Sequence, residues 1–205
     1  MASNELQTVF VRVEGLKKTI YDGEVKSQGH EVTTESGGKH MCDGTKCGQQ
    51  RTPGNTPTAS LDTASNHGKN FKFDGKWFES MGDFLIDKIG DDKGWWHIFV
   101  NGQYLQVGGC QYQTQPYSYI LWAYDGSRPS PLKLEVLSAT RVNQESIFSV
   151  KNWETGGPVG SATVHGVQSD ENGIAIVIFK ERGKIPVRAE KDKWIRSNTL
   201  TVNVA

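Results

Sequence analysis

The sequence predicts a mainly β protein in two domains: an α+β N-terminal part over residues 5–138 and a small β-sandwich over residues 142–205. Three observations carry that expectation. The pair Asn101-Gly102 separates two alternating runs, residues 95–100 and 103–107, and Asn-Gly favours the positive φ angles of a tight hairpin turn. Residues 8–13 and 19–25 are two β-rich runs around the polar turn 14–18, a strand–turn–strand opening. Beyond residue 142, the runs 148–153, 158–167, 174–180, 184–191 and 199–204 alternate apolar and polar side chains at the spacing of about ten residues expected of a sandwich.

Between these elements the composition changes. Residues 35–70 are rich in Gly, Pro, Thr, Asn and Lys and predict a long irregular surface loop, within which Thr58 is placed to cap one or two helical turns ending at Gly68. Residues 80–89, SMGDFLIDKI, read as the best helix of the chain. Met81, Phe84, Leu85 and Ile89 recur at helical spacing, Ser80 stands at the N-cap, and Gly90 lies just past the end. After the strand-like run 132–136, residues 137–143 lose the aromatic richness of the preceding segment, and the domain boundary is expected there.

Composition excludes several function classes. Twenty-three basic and 23 acidic residues give no net charge, and neither sign forms a long block, which argues against a nucleic-acid partner. No apolar run approaches the roughly 18 residues a membrane-spanning helix requires. The opening residues, MASNELQ, contain no apolar signal core, so the chain is expected either to be cytosolic or to have had an export signal replaced at its start, the second fitting the extracellular reading. Cys42, Cys47 and Cys110 allow one disulfide and a spare thiol. A bond from the 42–47 region to Cys110 closes a longer loop, and so restricts the unfolded chain more, than a Cys42–Cys47 link.

Two family resemblances complete the expected architecture. Residues 83–125, with their WWHIFVNGQ hairpin, GGC turn and ILWAYD strand, resemble the C-terminal β-grasp domain of transcobalamin and the secreted proteins that share it. That resemblance implies a β-grasp-like domain in which the 80–89 helix is clasped by a sheet. It also implies an extracellular or cell-surface location, a structural bond at Cys110, and a ligand-binding ancestry. The chain has no second helical domain of the kind that completes a corrinoid cage. The run ETGGPVGSATVHGVQSDENGIAIVIF, with Ser169, Asp170, Asn172 and Gly173 at its turn, resembles carboxypeptidase-regulatory-like and adhesin-repeat immunoglobulin-like modules. Their implied role is structural.

Catalytic constellations are absent: no GxSxG, P-loop, HExxH or strand-borne GxGxxG occurs, and the five histidines are dispersed. The chain is expected to need no cofactor and no metal and to be no enzyme, with a Cys110 thiolate activated by a histidine as the sole catalytic alternative. Binding is the favoured class. Tryptophans and tyrosines beside Asn and Gln offer flat apolar faces next to directional hydrogen bonders, which suits a sugar ring or another small polar-aromatic ligand. The candidate ligand-binding residues are Trp95, Trp96, His97, Asn101, Gln103, Tyr104, Gln111 and Tyr112. Adjacent strand residues point to opposite faces, so one of Trp95 and Trp96 must face outward. A structural or adhesive module that contacts a surface protein, or a homodimer, is the second reading.

Overall fold

The computed structural model describes residues 5–46, 50–67, 71–124 and 129–205. The chain is mainly β and divides into two compact units, Met1–Arg128 and Pro129–Ala205. Among the described residues no helix is long and apolar enough to cross a membrane.

The first unit is built on a five-stranded sheet. Its strands are β1 (Gln7–Glu14), β2 (Thr19–Ser27), β8 (Trp96–Val100), β9 (Gln103–Tyr104) and β10 (Tyr119–Tyr124), in the order β2-β1-β10-β8-β9. β1 pairs antiparallel with β2 and parallel with β10, with Phe10 opposite Tyr119 and Val13 opposite Trp122. Strand alternation sends Val9, Val11 and Val13 of β1 and Ile120 and Trp122 of β10 to one face, where they form the first core. That core also receives Leu61, Ala59 and Ala64 from helix α1 (Pro57–Ser65). It takes Val32 from the hairpin of β3 (His30–Thr34) and β4 (Gly38–Cys42), and Phe84, Ile86 and Ile89 from the small sheet of β5 (Phe73–Phe78), β6 (Asp83–Ile89) and β7 (Asp92–Lys93).

Three expectations are corrected here. Residues 80–89 are not the helix: 79–82 turn and β6 pairs antiparallel with β5. The pairing register shifts between Asp74 and Gly75, where Asp74 faces Lys88 but Gly75 faces Ile86. The extra residue, Asp87, flips the alternation so that Phe84, Ile86 and Ile89 are all buried, while Met81 and Leu85 of the expected helical stripe are exposed. The segment 35–70 is not one irregular loop: it carries β4 and the helical turns expected there, which run over Pro57–Ser65 as α1. Its cap is Thr56, whose hydroxyl accepts the Ala59 N–H at 3.2 Å, with Pro57 in the first helical turn. Its inward side chains are small, which hides its apolar face. The boundary, finally, falls at 128/129 rather than 138–142, because β11 (Leu132–Val136) pairs with β12 (Glu145–Asn152) of the second unit.

The second unit packs three small sheets around one core. The first has the order β11-β12-β15, with β15 at Ile174–Ile178. The second joins β13 (Thr163–Val164), β14 (Val167–Gln168) and β17 (Ala189–Glu190), and the third pairs β16 (Gly183–Val187) with β18 (Leu200–Val204). Leu134, Phe148, Val150, Ala175 and Val177 meet Val164, Val187 and Val202 in the interior. The turn before β15 is fixed by Asp170, whose Oδ1 accepts the N–H groups of Asn172 at 3.0 Å and Ile174 at 2.7 Å.

Cys42 at the end of β4 and Cys110 form a disulfide across 68 positions, with both residues fully buried. A loop of that length gives a stabilisation of about 4 kcal/mol in the chain-entropy account. One thiol of the three is therefore expected to label in denatured, unreduced protein from its natural source, and replacing both Cys42 and Cys110 by Ser is expected to lower the urea unfolding free energy by about 4 kcal/mol. Three labelled thiols in that material would show the bond to be absent.

Candidate functional site

The hairpin forms as its turn dipeptide dictates. Asn101 has φ 51° and Gly102 φ 84°, both in the left-handed region that a two-residue turn demands, and Val100 then pairs with Gln103. Asn101 also braces the start of β10. Its N–H donates to the Tyr119 carbonyl at 2.8 Å, and its side-chain Oδ1 accepts the Tyr119 N–H at 2.8 Å. Tyr119 points away from the core, and its ring stacks on Phe10 of the neighbouring strand with centroids 4.6 Å apart and planes 15° apart. Tyr119 is 52% exposed and Tyr117 68% exposed. Tyr117 holds φ 64°, an unusual conformation for a bulky side chain, and its N–H is anchored on the Thr8 carbonyl at 2.6 Å.

The candidate residues do not converge. Trp95, 66% exposed, precedes β8, while Trp96 is buried in the first core with its ring edge against Tyr124 at 5.3 Å. Asn101 and Gln103 sit at the other end of β8, about 20 Å away along an extended chain. His97 and Tyr104 are half-buried neighbours with ring centroids 5.7 Å apart, on the face opposite the core. Gln111 and Tyr112 belong to the loop after Cys110, where the Gln111 side-chain amide donates to the Met81 carbonyl. Cys47 lies outside the described residues. The Phe10–Tyr119 stack adjoins Asn101 but escaped sequence reasoning. The available signal was the alternation of β10, which puts Tyr119 on the side opposite Ile120 and Trp122.

The disulfide loop has its own polar anchor. Asp83 is buried, and its carboxylate accepts the Cys110 N–H at 3.0 and 3.1 Å and the Phe84 N–H at 2.7 Å. A side chain at Gly108 would run into that carboxylate, so the loop can approach only with glycine there. Thr58 N–H donates to the Gly109 carbonyl at 3.2 Å, and Asn55 Nδ2 donates to Ser60 Oγ and Thr114 Oγ1, both at 2.9 Å. These bonds stitch the start of α1 to the same loop. Burial lifts the Asp83 pKa from 3.8 to about 7 against the opposing pull of the backbone donors. Cys110, bonded to Cys42 and fully buried, offers no thiolate.

The remaining histidines serve packing or local pairing. His30 Nε2 lies 2.9 Å from Asp62 of α1, a partnership that raises its pKa, and His40 stacks flat on Trp77 at 4.0 Å. Among the described residues no group of three or more His, Cys, Asp or Glu side chains is arranged to hold a metal ion. No family model matches the chain, and neither a curated protein nor a solved structure matches it.

Asp83 makes stability pH-dependent with a definite sign. Its folded pKa is raised, so the folded chain keeps a proton that the unfolded chain releases near 3.8, and the contribution is largest below that value. It declines as pH rises toward about 7 and then levels off. Asp83→Asn, neutral throughout, is expected to flatten that part of the curve when unfolding midpoints are compared across pH. His30 acts with the same sign but is present in both proteins. Equal slopes in wild type and variant would refute this role for Asp83.

Proposed function

We propose that the chain is a non-enzymatic, secreted or surface-exposed binding protein that recognises a carbohydrate, or a similarly polar and ring-shaped small ligand, through exposed aromatic side chains of its N-terminal unit. The observation that carries this reading is the Phe10–Tyr119 stack, open to solvent on the Tyr119 side, with the carboxamide of Asn101 bonded to the Tyr119 N–H and exposed Tyr117 two residues earlier in the chain. A sugar lays its C–H face on such a ring while its hydroxyls bond to neighbouring carboxamides. The strained Tyr117 supports the reading, because backbone outliers held in place by their surroundings concentrate at ligand contacts.

The architecture supports a β-grasp assignment for the first unit through its order β2-β1-β10-β8, with β1 and β10 parallel and a helix in the connection between the first hairpin and β8, although that helix is α1 and not the 80–89 segment the transcobalamin resemblance implies. An immunoglobulin-like assignment of the second unit is supported by its short antiparallel strands around a single core, a scaffold suited to holding a binding unit away from a surface. The Cys42–Cys110 disulfide favours an oxidising compartment.

A glycan array followed by fluorescence titration tests the proposal. Tyr119→Ala is expected to weaken binding by roughly ten-fold or more. Tyr117→Gly, which relieves the positive φ, is expected to lose affinity while keeping thermal stability. Trp95→Ala, at the far end of β8, is expected to change little. An absence of response to every sugar class would transfer the reading to a protein-interaction module.

A further inference from the structure

The two edges of the β11-β12-β15 sheet are treated differently. The β11 edge is sealed within the second unit: Leu132 N–H donates to the Ile195 carbonyl at 3.0 Å, and the Asn198 side chain accepts from Leu134 N–H at 3.0 Å and donates to its carbonyl at 3.1 Å, imitating a strand. Among the described residues the β15 edge has no strand partner. Ile147 of β12 directs its backbone to the β11 side, where its carbonyl accepts the Leu137 N–H at 2.8 Å, so Ser146 and Phe148 face β15. Their partners Val177 and Ala175 therefore bond inward, and Ile176 and Ile178 direct their N–H and C=O groups outward.

Exposed edges ordinarily carry charge or proline against strand addition. Strand β2 has Asp22, Glu24 and Lys26, β5 has Asp74 and Lys76, and β16 has Lys184 and Pro186. The sequence of β15 is IAIVI, with no charge, proline or glycine, and Ile176 and Ile178 are 46% and 45% exposed. Exposed Leu137 and half-buried Ile147 continue the same apolar row across the sheet.

We propose that this edge docks a second copy of the same chain, β15 against β15, antiparallel about a twofold axis through Val177. In that register Ile176 of each copy exchanges both backbone hydrogen bonds with Ile178 of the other. Ile174, whose carbonyl and N–H are already taken by Asp170, is left out of the pairing. The flanks favour a self-partner over an unrelated strand. The acidic turn Asp170–Glu171 precedes β15, whereas Lys180 and Arg182, with Glu181 between them, follow it, and an antiparallel twofold brings each acidic turn toward the basic end of the other copy. Two three-stranded sheets become one of six strands with a continuous isoleucine face.

The full chain should sediment as a dimer in a concentration series by analytical ultracentrifugation. Ile176→Lys and Ile178→Lys, both at exposed positions, are expected to weaken association by about ten-fold or more with unchanged thermal unfolding, whereas Ile176→Thr retains it. Should the lysine variants not fold, hydrogen exchange on the wild-type chain decides: the Ile176 and Ile178 amides are expected to be protected at high concentration and to exchange faster on dilution. A chain monomeric at every concentration, a dimer indifferent to both lysines, or amides whose exchange ignores concentration would each overturn the proposal. So would a monomer that pairs this edge with a strand of another protein.

Discussion

The parallel pairing of β1 with β10 is the constraint on which the first unit depends. Parallel neighbours cannot be joined by a tight turn, so the chain between Glu14 and Tyr119 must cross over and return on one side of the sheet. That side is fixed by Val9, Val11, Val13, Ile120 and Trp122, whose alternation makes one face apolar. The β3–β4 hairpin, α1 and the β5-β6-β7 sheet are all contents of this single crossover, and each contributes side chains to the same core. Closing so long a connection costs chain entropy, though the cost grows only with the logarithm of length. The Cys42–Cys110 bond offsets much of it by tying the middle of the crossover to its last part.

That last part, the segment between β9 and β10, has almost no regular structure, and its backbone groups need partners from elsewhere. Asp83 takes the Cys110 N–H, the Gly109 carbonyl takes the Thr58 N–H, and Thr114 N–H donates to the Asn55 carbonyl at 2.9 Å. A buried carboxylate is a costly acceptor, and the rise in its pKa measures that cost. Its geometric value is that two oxygens at the start of β6 serve both the strand's own Phe84 N–H and the disulfide loop. The disulfide and the carboxylate therefore hold one point of the loop from two sides.

What was legible in the sequence was local. Asn101-Gly102 encodes its turn within two residues, and the alternation of 200–204 encodes a face within five, so the hairpin and the last strand of the second unit could be read directly. The error at 80–89 has a physical origin. Met81, Phe84, Leu85 and Ile89 recur at helical spacing, but the bulge opposite Asp74 and Gly75, which buries Phe84 and Ile89 and leaves Leu85 exposed, depends on a partner strand that no local window contains. Helix α1 was legible only as one or two turns capped at Thr58, two residues past its cap at Thr56, since alanine and serine fill a tight space beneath the sheet and leave no large apolar stripe. The candidate site was legible only in part. Asn101 was named for its chemistry, but the Phe10 ring beside its partner Tyr119 is more than 90 positions away and reaches Tyr119 through the parallel register alone.

That origin shapes what such a surface can do. The Phe10–Tyr119 shelf is carried by the two central strands, whose backbones are bonded on both sides, so its rings are set by the most constrained part of the unit. Its polar neighbours sit on turns: Asn101 at the hairpin apex, and Tyr117 in a left-handed conformation held by Thr8. A rigid apolar platform with turn-borne polar groups assigns different work to each part. For a ligand of the kind proposed, the platform would supply contact area with little ordering cost, and the turns would decide which hydroxyl pattern is accepted. Changes at the turns can therefore retune recognition without disturbing the core, because the opposite faces of β1 and β10 keep Val9, Val11 and Trp122 in place whatever lies on the outer side.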